Sequence, residues 1–223
     1  MIKQLAVLPG VIVGTGRRVK RIYRSELRNI TEVDELKEFQ RLAYQRIGVK
    51  FPIDFLARNK TFALFNRHGV MCGGFTFALG SDSRVVKSLP DEALAKLKKD
   101  VPDFENDLFE ATALWMSRYQ RCRMLGIYFW LMMYLEATKM RRNFYIYAYS
   151  SSKPKLGEIY NTIRPFRLYK GYTKLLPGMT EPDDEVIEYG TMMNVHFSFG
   201  RIVTFLLKRL VRARSVRKVK SYT

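Results

Sequence analysis

Residues 110–142 read EATALWMSRYQRCRMLGIYFWLMMYLEATKMRR, and their order of strand, basic turn and helix decides the fold. Thr112 to Met116 alternate as a strand does. Arg118, Arg121 and Arg123 then crowd a turn just before Gly126 and the first turn of a helix predicted to end near Lys139. A helix N-terminus presents unpaired N–H groups and the positive end of the helix dipole, so it holds anions. A glycine beside it lets the backbone approach a ligand closely. The segment therefore reads as a phosphate cradle. Its helix, Ile127 to Leu135, is apolar almost all round, as a helix buried between a sheet and another layer should be. Core packing is the default for these methionines and aromatics, and lining a channel for a flexible apolar chain is their other reading.

The rest of the composition is that of a folded domain with a strong positive field. The chain has 223 residues, 47% of them hydrophobic and 13% aromatic, which excludes a disordered class. One α/β or α+β domain is expected. The formal net charge of +18 attracts polyanions, acidic proteins or anionic lipid, and charge alone does not choose among them. No acidic residue follows Glu188, whereas Arg201, Lys208, Arg209, Arg212, Arg214, Arg217, Lys218 and Lys220 crowd the C-terminus. The longest apolar run, Met124 to Leu135, is too short to span a bilayer, and Val11-Ile12-Val13 precedes its basic cluster, unlike a signal peptide. A cytoplasmic location is expected. Cys72, Cys122, His68 and His196 stand at no recognisable disulfide or zinc spacing, so no metal is expected.

Outward from the central segment, residues 1–19 read as an N-terminal arm, residues 20–199 as the main domain and residues 200–223 as a basic amphipathic helix. Lys20 to Leu27 is predicted as a strand, and Thr31 as the N-cap of a helix reaching about Ile47. Leu36, Phe39, Leu42, Ala43 and Ile47 give that helix one apolar face. Thr61 to Asn66 and Val70 to Leu79 flank the turn Arg67-His68-Gly69 as a hairpin. A short helix follows from Pro90 to Lys99. After the central segment, Asn143 to Tyr149 reads as a buried strand and Pro154 to Ile163 as a helix. Phe166 to Leu176 and Glu185 to Phe199 then form a last hairpin around Pro177-Gly178 and Pro182-Asp183-Asp184. Hairpins beside crossover helices imply a mixed sheet.

This order, with a basic glycine turn after the fourth strand, resembles the GNAT acyltransferases, whose pyrophosphate loop runs Arg/Gln-x-x-Gly-x-Gly/Ala. Arg123, Gly126 and Tyr128 occupy those places, Tyr128 as a departure. Within that superfamily the chain is similar to the branch of acyl-homoserine-lactone synthases and long-chain N-acyl amino acid synthases. Their Glu-x-Ser-Arg-Phe falls on Trp115-Met116-Ser117-Arg118-Tyr119, with Trp115 in place of the acid. Gly80 to Val86 is similar to their Gly-x-x-Arg-Leu-Leu-Pro segment, with Arg84 as the arginine. Their acidic cluster is missing, since Asp54 stands alone, which points to an amine acceptor other than S-adenosylmethionine.

The resemblance implies a GNAT-like mixed central sheet and transfer of a medium- or long-chain fatty acyl group to a primary amine. The donor would be an acyl carrier protein or coenzyme A thioester, with no tightly bound cofactor. The acceptor would be an amino acid or a lysine or ornithine side chain of a peptide. Leu114, Met116 and Ser117 would meet pantetheine, and Arg118, Arg121, Arg123, Met124, Leu125, Gly126, Ile127 and Tyr128 the phosphates. Arg84 and Trp115 would contact substrate. Glu110 is the candidate base, with a solvated strand end as its other reading. Tyr160 is the candidate acid, with core packing as its other reading. Three alternatives stay open: a short-chain acetyltransferase using acetyl coenzyme A, a nucleic-acid-binding module, for which no recognisable motif is present, and peripheral attachment to the inner membrane surface through residues 201–214. In the last, Ile202, Phe205, Leu206 and Leu210 would form the apolar side.

Overall fold

The computed structural model describes residues 25–117, 123–179 and 181–219. Its scaffold is a seven-stranded mixed sheet, in the order β1-β2-β3-β4-β5-β7-β6. The strands are β1 Glu26–Asn29, β2 Lys60–Phe65, β3 Met71–Leu79, β4 Leu108–Met116, β5 Phe144–Ser150, β6 Phe166–Tyr172 and β7 Asp184–Thr191. Every neighbouring pair is antiparallel except β4 with β5, as the crossover helix between them requires.

Helices cover both faces of the sheet. On one lie α1 (Val33–Ile47), α2 (Ile53–Arg58), α3 (Arg84–Ser88) and α4 (Asp91–Asp100), with the short α5 (Phe104–Asp107) leading into β4. Leu36, Phe39 and Ala43 bury the inner stripe of α1, with Phe55, Leu56, Ala63, Ala113 and Trp115 in the same cluster. On the other face α6 (Arg123–Lys139) packs Leu125 and Phe129 against Phe75, Phe77 and Phe109, beneath α8 (Met192–Val219). Helix α7 (Pro154–Tyr160) follows β5 and passes into a 3₁₀ turn, Asn161–Ile163.

Several sequence expectations are corrected. Helix α1 is capped at Glu32, without a side-chain cap, and not at Thr31; the predicted first strand begins outside the described residues and is seen only as Glu26–Asn29. Helix α6 opens at Arg123, so Gly126 lies inside its first turn and not ahead of it. The final strand stops at Thr191, where α8 begins at once, so the C-terminal helix starts at Met192 and not near Arg201. His196 accordingly sits on a helix, where its Nδ1 lies 2.7 Å from the Tyr134 hydroxyl of α6.

Two departures from regularity shape the centre. Strands β4 and β5 pair only over Leu108–Glu110 with Phe144–Ile146, after which they run on unpaired with each other. Between Thr112 and Trp115 one extra residue enters β4 relative to β3, and Ala113 has φ 51°. This is a bulge, and a left-handed alanine costs about 1–2 kcal/mol. The result is a fork in the middle of the sheet whose inner edge is β4 from Ala111 onward.

Candidate active site at the fork

Cavities lie on both faces of the fork, and both are lined by Ala111, Thr112, Leu114 and Tyr160. The smaller encloses about 150 Å³, and Arg84, Glu110, Asp183, Glu185, Lys153, Phe51 and Met179 are among its lining residues. The larger encloses about 350 Å³ between the sheet, α6 and α8, and its other walls are almost wholly apolar.

Glu110 is fully buried, which removes the solvated strand end as its setting. Its Oε2 accepts hydrogen bonds from the Ser83 hydroxyl at 2.7 Å and the Val85 N–H at 3.0 Å. The Ser83 oxygen also accepts from the Val86 N–H and so caps α3. The carboxylate is thus held by a helix N-terminus that is itself held by the same serine. Its other oxygen, Oε1, is buried and has no hydrogen-bond partner among the described residues, a costly arrangement unless a further group completes it.

Arg84 is buried to 9% exposure, its guanidinium 5.4 Å from the Phe51 ring and 5.6 Å from the Phe55 ring. Burial lowers its pKa, and Glu110 and Glu185 oppose that shift. Burial likewise raises the Glu185 carboxyl, with its Oε2 accepting from the Thr173 hydroxyl at 3.1 Å. A charged triplet of Arg84, Glu110 and Glu185 therefore faces the smaller cavity.

Tyr160 stands where the cavities meet, with ring centroids of Tyr147 at 4.3 Å, Tyr149 at 5.5 Å and Trp130 at 6.5 Å. Burial pushes its phenol well above the ordinary range, so it stays protonated at neutral pH. Tyr145, Tyr147 and Tyr149 are all buried, stacked along β5 with centroids 6.0 and 6.3 Å apart, so they are not base-stacking surfaces. Tyr147 donates to Glu188 Oε2 at 2.8 Å.

The other expected site residues divide. Leu114 lines both cavities and falls outside the β3 register. Met116 pairs with Gly73, and the Ser117 N–H donates to the Cys72 carbonyl at 2.8 Å, so both continue the sheet. Arg118 and Arg121 lie outside the described residues, and Arg123 and Met124 are described as helix backbone only. Among the described residues nothing lies within 4 Å of where a Cβ on Gly126 would stand. Ile127 lines the larger cavity, while the Leu125 side chain is packed in the core. Tyr128 is half-buried toward β1, where burial raises its phenol and Glu26 and the Leu27 backbone also act on it. Trp115 lines neither cavity: it packs edge-on against Phe39 at 5.9 Å, because the bulge turns it toward α1. Its expected substrate contact is replaced by core packing.

Ser83, Glu185 and Thr112 were not singled out from sequence. Ser83 carried a usable signal, a serine three residues before Val86 at the head of a short apolar turn.

The sequence matches no family model and no curated protein. Its fold does match solved structures. FeeM, an N-acyl amino acid synthase from uncultured soil microbes, aligns with a TM-score of 0.55 at 14% identity over 75% of this chain and 91% of that one. The spermidine/spermine N-acetyltransferase SpeG from Vibrio cholerae aligns with a TM-score of 0.51 at 9% identity, over 77% and 95% of the two chains. Arabidopsis thaliana NAA60, solved with acetyl-CoA, aligns with a TM-score of 0.52 at 11% identity, over 75% and 98%. This chain has the fold of the GNAT N-acyltransferases.

Proposed function

We propose, from the fold this chain shares with the GNAT N-acyltransferases, that it transfers a medium- or long-chain fatty acyl group from a thioester to the primary amine of an amino acid or of a peptide lysine or ornithine. The observation that carries this reading is the apolar cavity of about 350 Å³ that opens at Thr112, Leu114 and Tyr160. At roughly 30 Å³ per non-hydrogen atom it has room for about a dozen carbons, far more than an acetyl group fills. The donor is an acyl carrier protein or coenzyme A thioester, drawn by the positive field and seated at the start of α6, with Arg118, Arg121 and Arg123 on its phosphates.

In the reaction the amine nitrogen forms a bond to the thioester carbon and the C–S bond breaks. Glu110 lines the smaller cavity, its Oε1 has no hydrogen-bond partner among the described residues, and in this reading it takes the proton from the amine. The Ser83 and Val85 bonds to Oε2 hold that carboxylate in position. The freed backbone at Ala113 and Leu114 meets the thioester carbonyl, and Tyr160 supplies a proton to the departing thiolate. Arg84 gives a carboxylate of an amino acid acceptor its counter-charge. Holding both partners at the fork supplies much of the rate.

The test is to incubate the protein with acetyl, octanoyl and palmitoyl thioesters of carrier protein and of coenzyme A, with pooled amino acids and a lysine- or ornithine-containing peptide, and to identify products by mass spectrometry. Octanoyl or palmitoyl amides are expected. Acetyl products alone would replace this reading by a short-chain acetyltransferase, and no product from any donor would remove it.

A further inference from the structure

The first half of α8 has two apolar sides, and among the described residues only one of them is packed against the protein. Met192, Val195, Phe199, Ile202, Val203 and Leu206 line the large cavity. Of the predicted membrane side Ile202, Phe205, Leu206 and Leu210, Ile202 and Leu206 are therefore turned inward, and the Leu210 side chain lies outside the described residues. A second stripe points away: Met193 is 59% exposed, Phe197 78% and Leu207 47%. With Gly200 and Thr204 between them, these residues recur at i, i+4, i+7, i+11 and i+14, a straight line along the helix about 21 Å long.

Exposed Arg201 and Lys208 flank this line on one side at about 100° per residue. The helix backbone continues to Val219 through Arg209, Arg212, Arg214, Arg217 and Lys218 with no acidic residue. Among the described residues no helix is long and apolar enough to cross a membrane. We infer that the outward stripe Met193–Phe197–Leu207, with its basic flank and extension, docks the protein on an anionic lipid surface, the helix lying in the interface plane. Charge complementarity selects the lipid headgroups, and the apolar side chains enter the acyl boundary while the cations stay at headgroup level. This inference does not depend on acyl transfer.

The full chain is tested by flotation with phosphatidylcholine vesicles, with and without phosphatidylglycerol, at low and high salt. Binding is expected to the anionic vesicles, weakened by salt. The double variant Phe197→Ser/Leu207→Ser is expected to bind about tenfold more weakly with an unchanged circular dichroism spectrum, since both side chains are exposed. Tyr172→Ser, which removes another exposed aromatic, is expected to bind as the wild type does. Absence of binding to anionic vesicles, or equal binding by the double variant, would overturn the inference. So would capture of an acidic carrier protein by the same stripe while vesicles are ignored.

Discussion

On one side of the fork a cavity of about 150 Å³ is built around Arg84, Glu110 and Glu185; on the other a cavity of about 350 Å³ is walled by aromatic and aliphatic side chains. In the small cavity Ser83 and the α3 N-terminus fix one oxygen of Glu110, and the other has no hydrogen-bond partner among the described residues. The large cavity is almost wholly apolar, and its shape comes from the packing of α6 and α8 over the sheet. In the proposed reaction the fork separates two tasks: the small side would position and deprotonate the amine, and the large side would measure the acyl chain.

The strongest way to break this division is Glu110→Gln, which keeps both hydrogen bonds at one oxygen but removes the base. A fall in kcat of about 10²–10⁴-fold is expected, with KM little changed and the melting temperature retained. A variant of full activity would leave the small cavity without its assigned task. The complementary change fills the large side: Ala137→Phe, on the α6 wall, is expected to lower kcat/KM for octanoyl donors about tenfold or more while sparing acetyl donors. Equal losses for both chain lengths would show that the cavity does not measure the chain.

Ser83→Ala separates positioning from chemistry. It removes a bond to Glu110 and the cap of α3 together, so a stability loss of about 1 kcal/mol should accompany a several-fold fall in kcat with KM retained. Threonine at the same position should restore most of both, read by denaturant melts and steady-state kinetics.

A pH titration tests how dry the core around Cys72 is. Burial raises the Cys72 thiol from 9.0 to about 11, so the folded state holds that proton more tightly than the unfolded chain. The resulting stabilisation is complete below pH 9 and is lost as pH rises through about 11, at most about 2–3 kcal/mol. The stability gap between wild type and Cys72→Ala should narrow over that interval. A constant gap would mean that the thiol is not held dry.

What the sequence made legible follows from period. The α1 stripe and the β2–β3 hairpin repeat over enough residues to be read, and the mixed sheet follows from their order. Helices α2, α3 and α5 are too short to show a period. Met192 to Phe199 alternates like a strand yet is helical, and the informative residue was Thr191, whose hydroxyl accepts from the Asn194 N–H at 3.2 Å. The bulge was hidden because an alanine, not a glycine, carries the positive φ. That one extra residue turned Trp115 inward and made its expected role unreadable. Glu110 was visible as a carboxylate, but its partner Ser83 lies 27 residues away, and only tertiary contact shows that it is buried and oriented.

Each face of the sheet also carries its own optical probe. The chain has two tryptophans. Trp115 is sealed against Phe39 on the α1 face, while Trp130 lines the large cavity near Tyr160. Replacing Trp115 by phenylalanine leaves an emission spectrum that reports occupancy of the large cavity alone. Replacing Trp130 leaves one that follows only the packing beneath α1. Ligand entry and loss of core structure thereby become separable in a single cuvette, without any attached dye.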